Sequence, residues 1–277
     1  MGKNIKKIVM LIMVMILGIQ GSLPAREAEA AGSEATIIGN TDGTVTVKYN
    51  NKSKVKSKVL VIKDNKMYQY DLKNGNNIVR VPLTQGNGTY TVMVCKCITG
   101  SKYSPIAQKK VKLKLSPSRK AFKPTHIIIN FKNTNPAIKK AKQLVKKCKT
   151  KEDKIKAIWN YVVKNYKYDY AKQRNLSSYT SQYVPNVNTT YKSKKGICYD
   201  ISALYSAMLR SVGIEAQLQT GYCSKVNGYH AWNRVYNSEK KKWYTIDCTY
   251  DLCMYRKGGK YSMKKASGEY KTVVYLY

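Results

Sequence analysis

The spacing of apolar residues changes between the two halves of this chain, and that change limits the folds it can adopt. Five segments between residues 44 and 115 alternate apolar and polar side chains, as strands with one buried face do. Turn-forming clusters such as Gly86-Asn87-Gly88 separate them. Residues 33–117 are therefore predicted to form a small all-β sandwich. The predicted strands are Thr44–Tyr49, Lys58–Lys63, Asn77–Val81, Thr89–Val94 and Lys110–Leu115.

A boundary is predicted at Ser116–Lys120, and helical periodicity dominates the residues that follow it. Ile127–Phe131 is apolar and is predicted to be a short strand. Asn135 is expected to cap a helix that begins at Pro136. On that helix Cys148 falls on the apolar face, which predicts a core residue rather than a reactive thiol.

The remaining segments predict an α+β fold for residues 118–277, with helices packed on an antiparallel sheet. Thr150 and Asp153 predict a capping box at the start of a second long helix. Residues 171–195 are polar and are expected to form a long loop. A helix from Cys198 to Gly213 and three strands then follow, the strands covering residues 214–222, 230–236 and 241–247.

The first 30 residues have the pattern of a secretory signal peptide. Lys3, Lys6 and Lys7 precede an apolar run from Ile8 to Ile19, and Ala28-Glu29-Ala30 offers a small-residue cleavage site. An uncleaved membrane anchor is the alternative, but this run is short for a bilayer span. The protein is therefore expected to be secreted, or associated with the cell surface, after cleavage near Ala30.

The charge of the chain favours anionic partners. Lys and Arg number 51 against 15 Asp and Glu, a net charge of +36. Residues 1–30 hold four basic and two acidic residues, so about +34 remains after cleavage. An anionic cell-wall polymer or acidic glycan fits such a field, with peripheral membrane contact as a further option. Nucleic acid conflicts with export, and a solvated basic surface that only maintains solubility is the simpler alternative.

Seven cysteines in an exported chain leave at least one thiol unpaired. If Cys198 is a nucleophile, the other six could form up to three disulfides or remain thiols. A zinc site is not indicated, because the chain has two histidines and no paired Cys-x-x-Cys elements. Acidic ligand loops for calcium are also absent from the sequence, so no metal or cofactor is expected. The six are Cys95, Cys97, Cys148, Cys223, Cys248 and Cys253.

The arrangement of Cys198, His230 and Asp247 predicts nucleophilic catalysis. Cys198 opens a helix, where unpaired backbone N–H groups and the helix dipole stabilise a thiolate. The same N–H groups can stabilise an oxyanion on an attacked carbonyl. A hairpin is predicted to set His230, the base, beside Asp247, which would orient the imidazole. A small apolar residue at a helix start is the alternative interpretation of Cys198 alone.

Three residues flanking this arrangement are expected to bind substrate. Gly196 would let the backbone turn sharply and leave room for substrate beside Cys198. Tyr199 and Trp232 follow the predicted nucleophile and base in sequence. His126 is expected to be a partly buried or surface residue rather than a second base.

From roughly Asn135 to Asp251 the sequence resembles the transglutaminase-like superfamily, whose core is similar to that of papain-like enzymes. The resemblance implies that Cys198 is the nucleophile, His230 the base and Asp247 its orienting carboxylate. Cys248 stands where the family commonly has proline after the aspartate. The segments that carry the resemblance are Tyr161–Lys164 with Tyr168-Asp169, Lys195–Cys198, Ala207–Ile214, His230–Asn233 and Trp243–Asp247. In the β module, Gly88–Val92 resembles a late strand of an immunoglobulin-like domain, which implies a sandwich of that type.

The sequence thus predicts an exported enzyme that attacks an amide through a thioester on Cys198. The amide could belong to a peptide bond or to a glutamine side chain, and water or an amine could resolve the thioester. Peptidase, deamidase and transglutaminase activities all remain open, each with a protein or peptide substrate. The alternative hypothesis is a non-catalytic surface protein that binds anionic wall polymer or glycan, through a β module that could equally be a spacer.

Overall fold

The computed structural model describes residues 34–176 and 183–275, so the predicted signal peptide lies outside the described residues. Seven strands occupy the chain up to Leu113, and helices with a second large sheet occupy the rest. Within the described ranges no helix is both long and apolar enough to cross a bilayer.

The N-terminal strands form two antiparallel sheets, one ordered β1-β2-β5 and the other β4-β3-β6-β7. Both contribute fully buried side chains, such as Val47, Val61 and Val92, to one apolar core. Each of the five predicted strands falls on an observed strand, and β1 and β4 are additional. The bounds are β1 (Ala35–Gly39), β2 (Thr44–Asn51), β3 (Ser57–Lys63), β4 (Lys66–Leu72), β5 (Gly75–Pro82), β6 (Gly88–Thr99) and β7 (Lys102–Leu113).

The predicted strand at Ile127–Phe131 is wrong, because the chain forms a turn there. The His126 N–H and the Thr125 hydroxyl both donate to the Ile129 carbonyl, each at 3.2 Å. Ile128 and Ile129 are fully buried. The apolar run therefore reflects burial of a turn rather than pairing in a sheet. A short 3-10 helix, Ser118–Phe122, lies at the predicted boundary that precedes this turn.

Two helices follow, α1 (Pro136–Val145) and α2 (Lys151–Asn165). The predicted capping box is confirmed, since the Asp153 N–H donates to Thr150 Oγ1 at 3.1 Å. Asn135 is the N-cap residue of α1 and Pro136 its first residue, as predicted, although the Asn135 side-chain oxygen accepts the Lys132 N–H at 2.7 Å and not a helix N–H. Cys148 lies beyond the end of α1 and is half-buried, so its expected core position is also wrong.

Two short helices, α3 (Tyr170–Asn175) and α4 (Val187–Ser193), occur where a long loop was expected. Asp169 caps α3 by accepting the Lys172 N–H at 3.0 Å, and Asn186 caps α4 by accepting the Thr189 N–H at 2.9 Å. Residues 177–182 lie outside the described residues. A polar cap residue followed by a helix this short has the same composition as a β-turn or loop. The sequence pattern therefore predicted a loop here.

A central helix, α5 (Cys198–Ser211), packs on an antiparallel sheet ordered β12-β11-β10-β13. Its residues from Asp200 to Arg210 are all buried, and Gly213 ends the segment with φ of 81°, as predicted. The remaining elements are β8 (Lys167–Tyr168), β9 (Lys195–Gly196), β10 (Ala216–Cys223), β11 (Val226–Asn237), β12 (Lys242–Ile246), α6 (Cys248–Arg256) and β13 (Tyr270–Tyr275).

Gly196 allows α5 to approach the strand that precedes it. A Cβ added at this residue would lie 2.7 Å from Asp200 Cβ and 3.2 Å from Thr190 Cγ2.

We expect Gly196→Ala to lower the free energy of unfolding by about 1–3 kcal/mol through overpacking, measured by chemical denaturation. Gly268→Ala is the matched control, since a Cβ there meets nothing within 4 Å. Equal losses in the two variants would contradict this account.

Candidate functional site

Cys198 is the first residue of α5 and is half-exposed, at the end where helix N–H groups lack intrahelical partners. The parallel pair β8-β9 holds the segment before it. Asp200, in the same helical turn, accepts the Ile197 N–H at 3.0 Å and pairs with Lys172 Nζ at 2.7 Å. The lysine offsets the negative charge of a fully buried carboxylate two residues from the thiol.

His230 and Asp247 are brought into contact by the sheet. His230 lies opposite Gly221 within β11, and Asp247 directly follows β12. The Nε2 atom of His230 lies 2.8 Å from Oδ2 of Asp247, and both side chains are buried. The other carboxylate oxygen, Oδ1, accepts the Tyr250 N–H at 2.9 Å and so caps α6. One carboxylate therefore positions the imidazole and begins a helix.

Tyr270 is a third partner of this carboxylate that the sequence reasoning missed. Its hydroxyl donates to Asp247 Oδ2 at 3.0 Å from β13. The Tyr270 ring lies 5.1 Å from that of Trp232, which in turn stacks on His230 at 6.2 Å between ring centroids. The β-branched and aromatic residues of β13 could have indicated a strand, but no local signal shows that this strand reaches Asp247.

Burial and ion pairing act in opposite directions on the two ionisable groups. Burial is the largest influence on His230 and opposes its charge, yet the Asp247 carboxylate and the Cys198 contact together raise the pKa of His230 well above its usual value. Burial likewise opposes ionisation of Asp247, but the His230 charge and three hydrogen bonds hold its pKa below the usual range. The pair is therefore stabilised as imidazolium and carboxylate.

Two thiols lie beside this imidazole. Cys198 forms a side-chain hydrogen bond with His230, which is one of the contacts that raise the pKa of that residue. Cys223, at the end of β10, has its Sγ within 4.8 Å of a ring nitrogen of His230 and of a carboxylate oxygen of Asp247. The structure thus brings together the three predicted residues and adds a second cysteine that was not predicted to lie there.

Two tyrosines, Tyr168 and Tyr229, lie near the thiol of Cys198. Burial, followed by the charge of Cys198, raises the pKa of Tyr168. Burial is also the main cause of the raised pKa of Tyr229, to which the charge of Cys198 contributes. Both tyrosines end T-shaped pairs, with Tyr170 at 4.9 Å and with Tyr222 at 5.5 Å between ring centroids. Aromatic walls of this kind suit an extended substrate chain.

The residues predicted to bind substrate differ in exposure. Tyr199 is half-buried beside Cys198, with its ring 6.4 Å from that of Tyr183. Gly196 is buried, and its close contact with Asp200 rather than a left-handed backbone explains the glycine. Trp232 is 1% exposed, and its ring stacks on the imidazole of His230. Of the three, Tyr199 has the placement that suits contact with substrate.

The remaining candidate residues lie outside this cluster. His126 is 2% exposed, so the expected partly buried or surface position is wrong, and its Nε2 lies 2.8 Å from Arg210 Nη1. Burial, with the Arg210 charge, holds the pKa of His126 well below its usual value. All seven cysteines are free thiols, including Cys248, which is fully buried at the start of α6.

Residues 138–248 match the model of the transglutaminase-like superfamily. This segment is similar to members of that superfamily. It contains Cys198, Cys223, His230 and Asp247, whereas Tyr270 lies 22 residues beyond its end.

Individual relatives are distant. The chain is 26% identical over 216 residues to the UPF0252 protein MJ1282 of Methanocaldococcus jannaschii, an alignment that covers 72% of this chain and 60% of that protein. A candidate cysteine protease from Cytophaga hutchinsonii is 13% identical with a TM-score of 0.36, covering 78% of this chain and 71% of its own. Red sea bream transglutaminase is 11% identical with a TM-score of 0.30, covering 77% and 49%.

Asp247→Asn tests the origin of the imidazole charge. Asparagine keeps an oxygen that can cap α6 but removes the carboxylate charge. Burial then dominates, and we expect the pKa of His230 to fall below its ordinary value of about 6.5. An NMR titration of the two imidazoles measures this, with buried His126 as the internal control. An unchanged His230 titration in the variant would show that Asp247 does not set its charge.

Proposed function

We propose that this protein is an exported cysteine enzyme that transfers the acyl group of an amide through a thioester on Cys198. The observation that carries the proposal is the contact of Cys198, at a helix N-terminus, with an imidazole held by buried Asp247. An acyl-transfer enzyme requires a thiolate, a proton carrier and an orienting group, and these residues supply all three.

The chemistry follows from the two charged groups. The Cys198 sulfur attacks the amide carbonyl carbon, forming the C–S bond and a tetrahedral oxyanion. First-turn N–H groups of α5 stabilise that oxyanion. The His230 imidazolium then gives its proton to the leaving nitrogen as the C–N bond breaks. Water or an amine next attacks the thioester, His230 takes the proton of this nucleophile, and the Cys198 thiolate returns.

Cys198 fits the nucleophile role better than Cys223. Both thiols lie beside His230, but Cys223 ends a strand and has no helix N-terminus to stabilise a thiolate or an oxyanion. Cys198 lies at a helix N-terminus, which can stabilise both a thiolate and an oxyanion, and Tyr168 and Tyr229 lie near it. The substrate we propose is a protein or peptide amide, either a peptide bond or a glutamine side chain.

Export and attachment complete the proposal. We infer a signal peptide from residues 1–30, and an immunoglobulin-like assignment for strands β1–β7 from the resemblance of Gly88–Val92 to a late strand of such a module. Exposed lysines on α1 and the turn after it favour attachment to an anionic wall polymer or glycan. Binding to polyglutamate should weaken by at least about threefold when Lys146 and Lys147 become glutamate; equal retention would argue against this surface. The lysines are Lys139, Lys142, Lys146, Lys147 and Lys149.

Cys198→Ala tests the enzyme proposal directly. The purified protein is incubated with a glutamine-containing protein and a labelled amine, and ammonia release, amine incorporation and peptide cleavage are scored separately. Loss of the nucleophile should lower the active reaction by about 10³-fold or more.

Two variants serve as controls in the same assay. Cys148→Ala removes a half-buried thiol in the turn between α1 and α2, and should retain activity. Cys223→Ala tests which thiol is the nucleophile. Activity that survived Cys198→Ala and disappeared in Cys223→Ala would overturn the assignment, and equal activity of wild type and Cys198→Ala in all three assays would overturn the mechanism.

A further inference from the structure

The thiol of Cys223 has no part in the thioester chemistry, although it lies against the residues that perform it. Cys223 ends β10 at an irregularity in the strand pairing, opposite Val226 of β11 and Tyr270 of β13. Its Sγ, a ring nitrogen of His230 and a carboxylate oxygen of Asp247 all lie within 4.8 Å of one another. The thiol is free and half-buried, so it is neither a disulfide partner nor a core residue.

These three atoms form a donor set suited to zinc. Thiolate, imidazole and carboxylate are its usual protein ligands, with bonds of about 2.0–2.3 Å. A tetrahedron with such bonds sets its ligand atoms about 3.3–3.8 Å apart, so the Cys223 sulfur needs to approach by up to about 1 Å and the His230–Asp247 pair, now 2.8 Å apart, needs to open slightly. Softer thiolate donors also select zinc over calcium or magnesium. Water would complete the tetrahedron as the fourth ligand.

The nearby cations do not oppose a bound metal as strongly as the net charge suggests. Lys225, two residues after Cys223, pairs with Glu269 at 2.9 Å. Lys265 is buried and pairs with Asp251, which lies on α6. The half-exposed Cys223 thiol provides the entrance, because His230 and Asp247 are themselves buried.

We propose that Cys223, His230 and Asp247 form a zinc-binding site, and that a bound zinc ion inhibits the enzyme. Zinc would take the imidazole nitrogen and the carboxylate oxygen that now bond each other at 2.8 Å. Binding releases the Cys223 thiol proton and one imidazolium proton to solvent. The inhibition rests on the proposed acyl-transfer function, whereas the zinc binding does not.

The binding experiment uses the full chain, reduced and freed of metal, with zinc titrated by calorimetry. One equivalent should bind to wild type, and Cys223→Ser should bind at least about tenfold more weakly. Cys253→Ser is the matched control, because Cys253 is another half-buried thiol on the neighbouring α6 that lies outside the three-donor cluster. The NMR signal of His126 reports that each variant is folded.

Cobalt provides a second probe that does not depend on activity. A tetrahedral cobalt site with thiolate ligands absorbs visible light, and we expect that absorption from wild type and Cys253→Ser but not from Cys223→Ser. Equal zinc affinity in wild type and Cys223→Ser, or equal loss in both serine variants, would overturn the site. So would the absence of zinc binding to wild type at micromolar concentrations.

Cys198→Ala separates this proposal from the proposed function. It should still bind zinc, with water in the fourth position, although the nucleophile is gone. If wild type binds zinc through Cys223 but turns over no amide, the acyl-transfer proposal fails and the metal site stands. If amides are turned over and zinc inhibits wild type and Cys223→Ser at the same concentration, the metal site fails alone.

Discussion

The buried carboxylate of Asp247 is the interaction on which the architecture of the site depends. Burying a carboxylate costs several kcal/mol unless its oxygens are satisfied by charged or hydrogen-bonding partners. Here three segments satisfy it: His230 from β11, the Tyr250 N–H from α6 and Tyr270 from β13. Folding therefore cannot bury this group without bringing the base, a helix and the last described strand to one point.

A second buried carboxylate ties the helical layer to the same region. Asp251, one turn further along α6, accepts Trp159 Nε1 from α2 at 2.8 Å and also pairs with Lys265. Burial raises the pKa of Asp251 to about 6, against the opposing influence of Lys265. The first turns of α6 thus hold two carboxylates, one facing the imidazole and one facing α2, and the helix cannot move without disturbing both.

Local sequence signals predicted the elements that local contacts determine. Thr150 and Asp153 lie three residues apart, so the capping box follows from their spacing. The helix that starts at Cys198 and stops near Gly213, and the hairpin that carries His230, follow from periodicity and turn chemistry in the same way. Ile127–Phe131 failed because buried turns and strands can share one composition.

The sequence could not predict the features of the site that depend on contacts between residues far apart in the chain. Tyr270 lies 23 residues from Asp247 along the chain, and only the pairing of β13 with β10 brings them together. Cys223 depends on the same sheet, since the irregular pairing after Gly221 sets where its thiol lies relative to His230. Periodicity identifies which residues share a face of one strand, but not which strands are neighbours.

Cys198 and Cys223 both lie beside His230, and the two proposed states of the site require different protonation of this imidazole. In the proposed acyl transfer, the imidazolium of His230 lies beside Cys198 at a helix N-terminus, and the imidazole keeps its proton until the leaving nitrogen takes it. A metal held by Cys223 requires the opposite, because an imidazole ligand must give up that proton. The catalytic ion pair and the metal-bound state therefore compete for a single nitrogen and a single carboxylate, and occupation of one excludes the other.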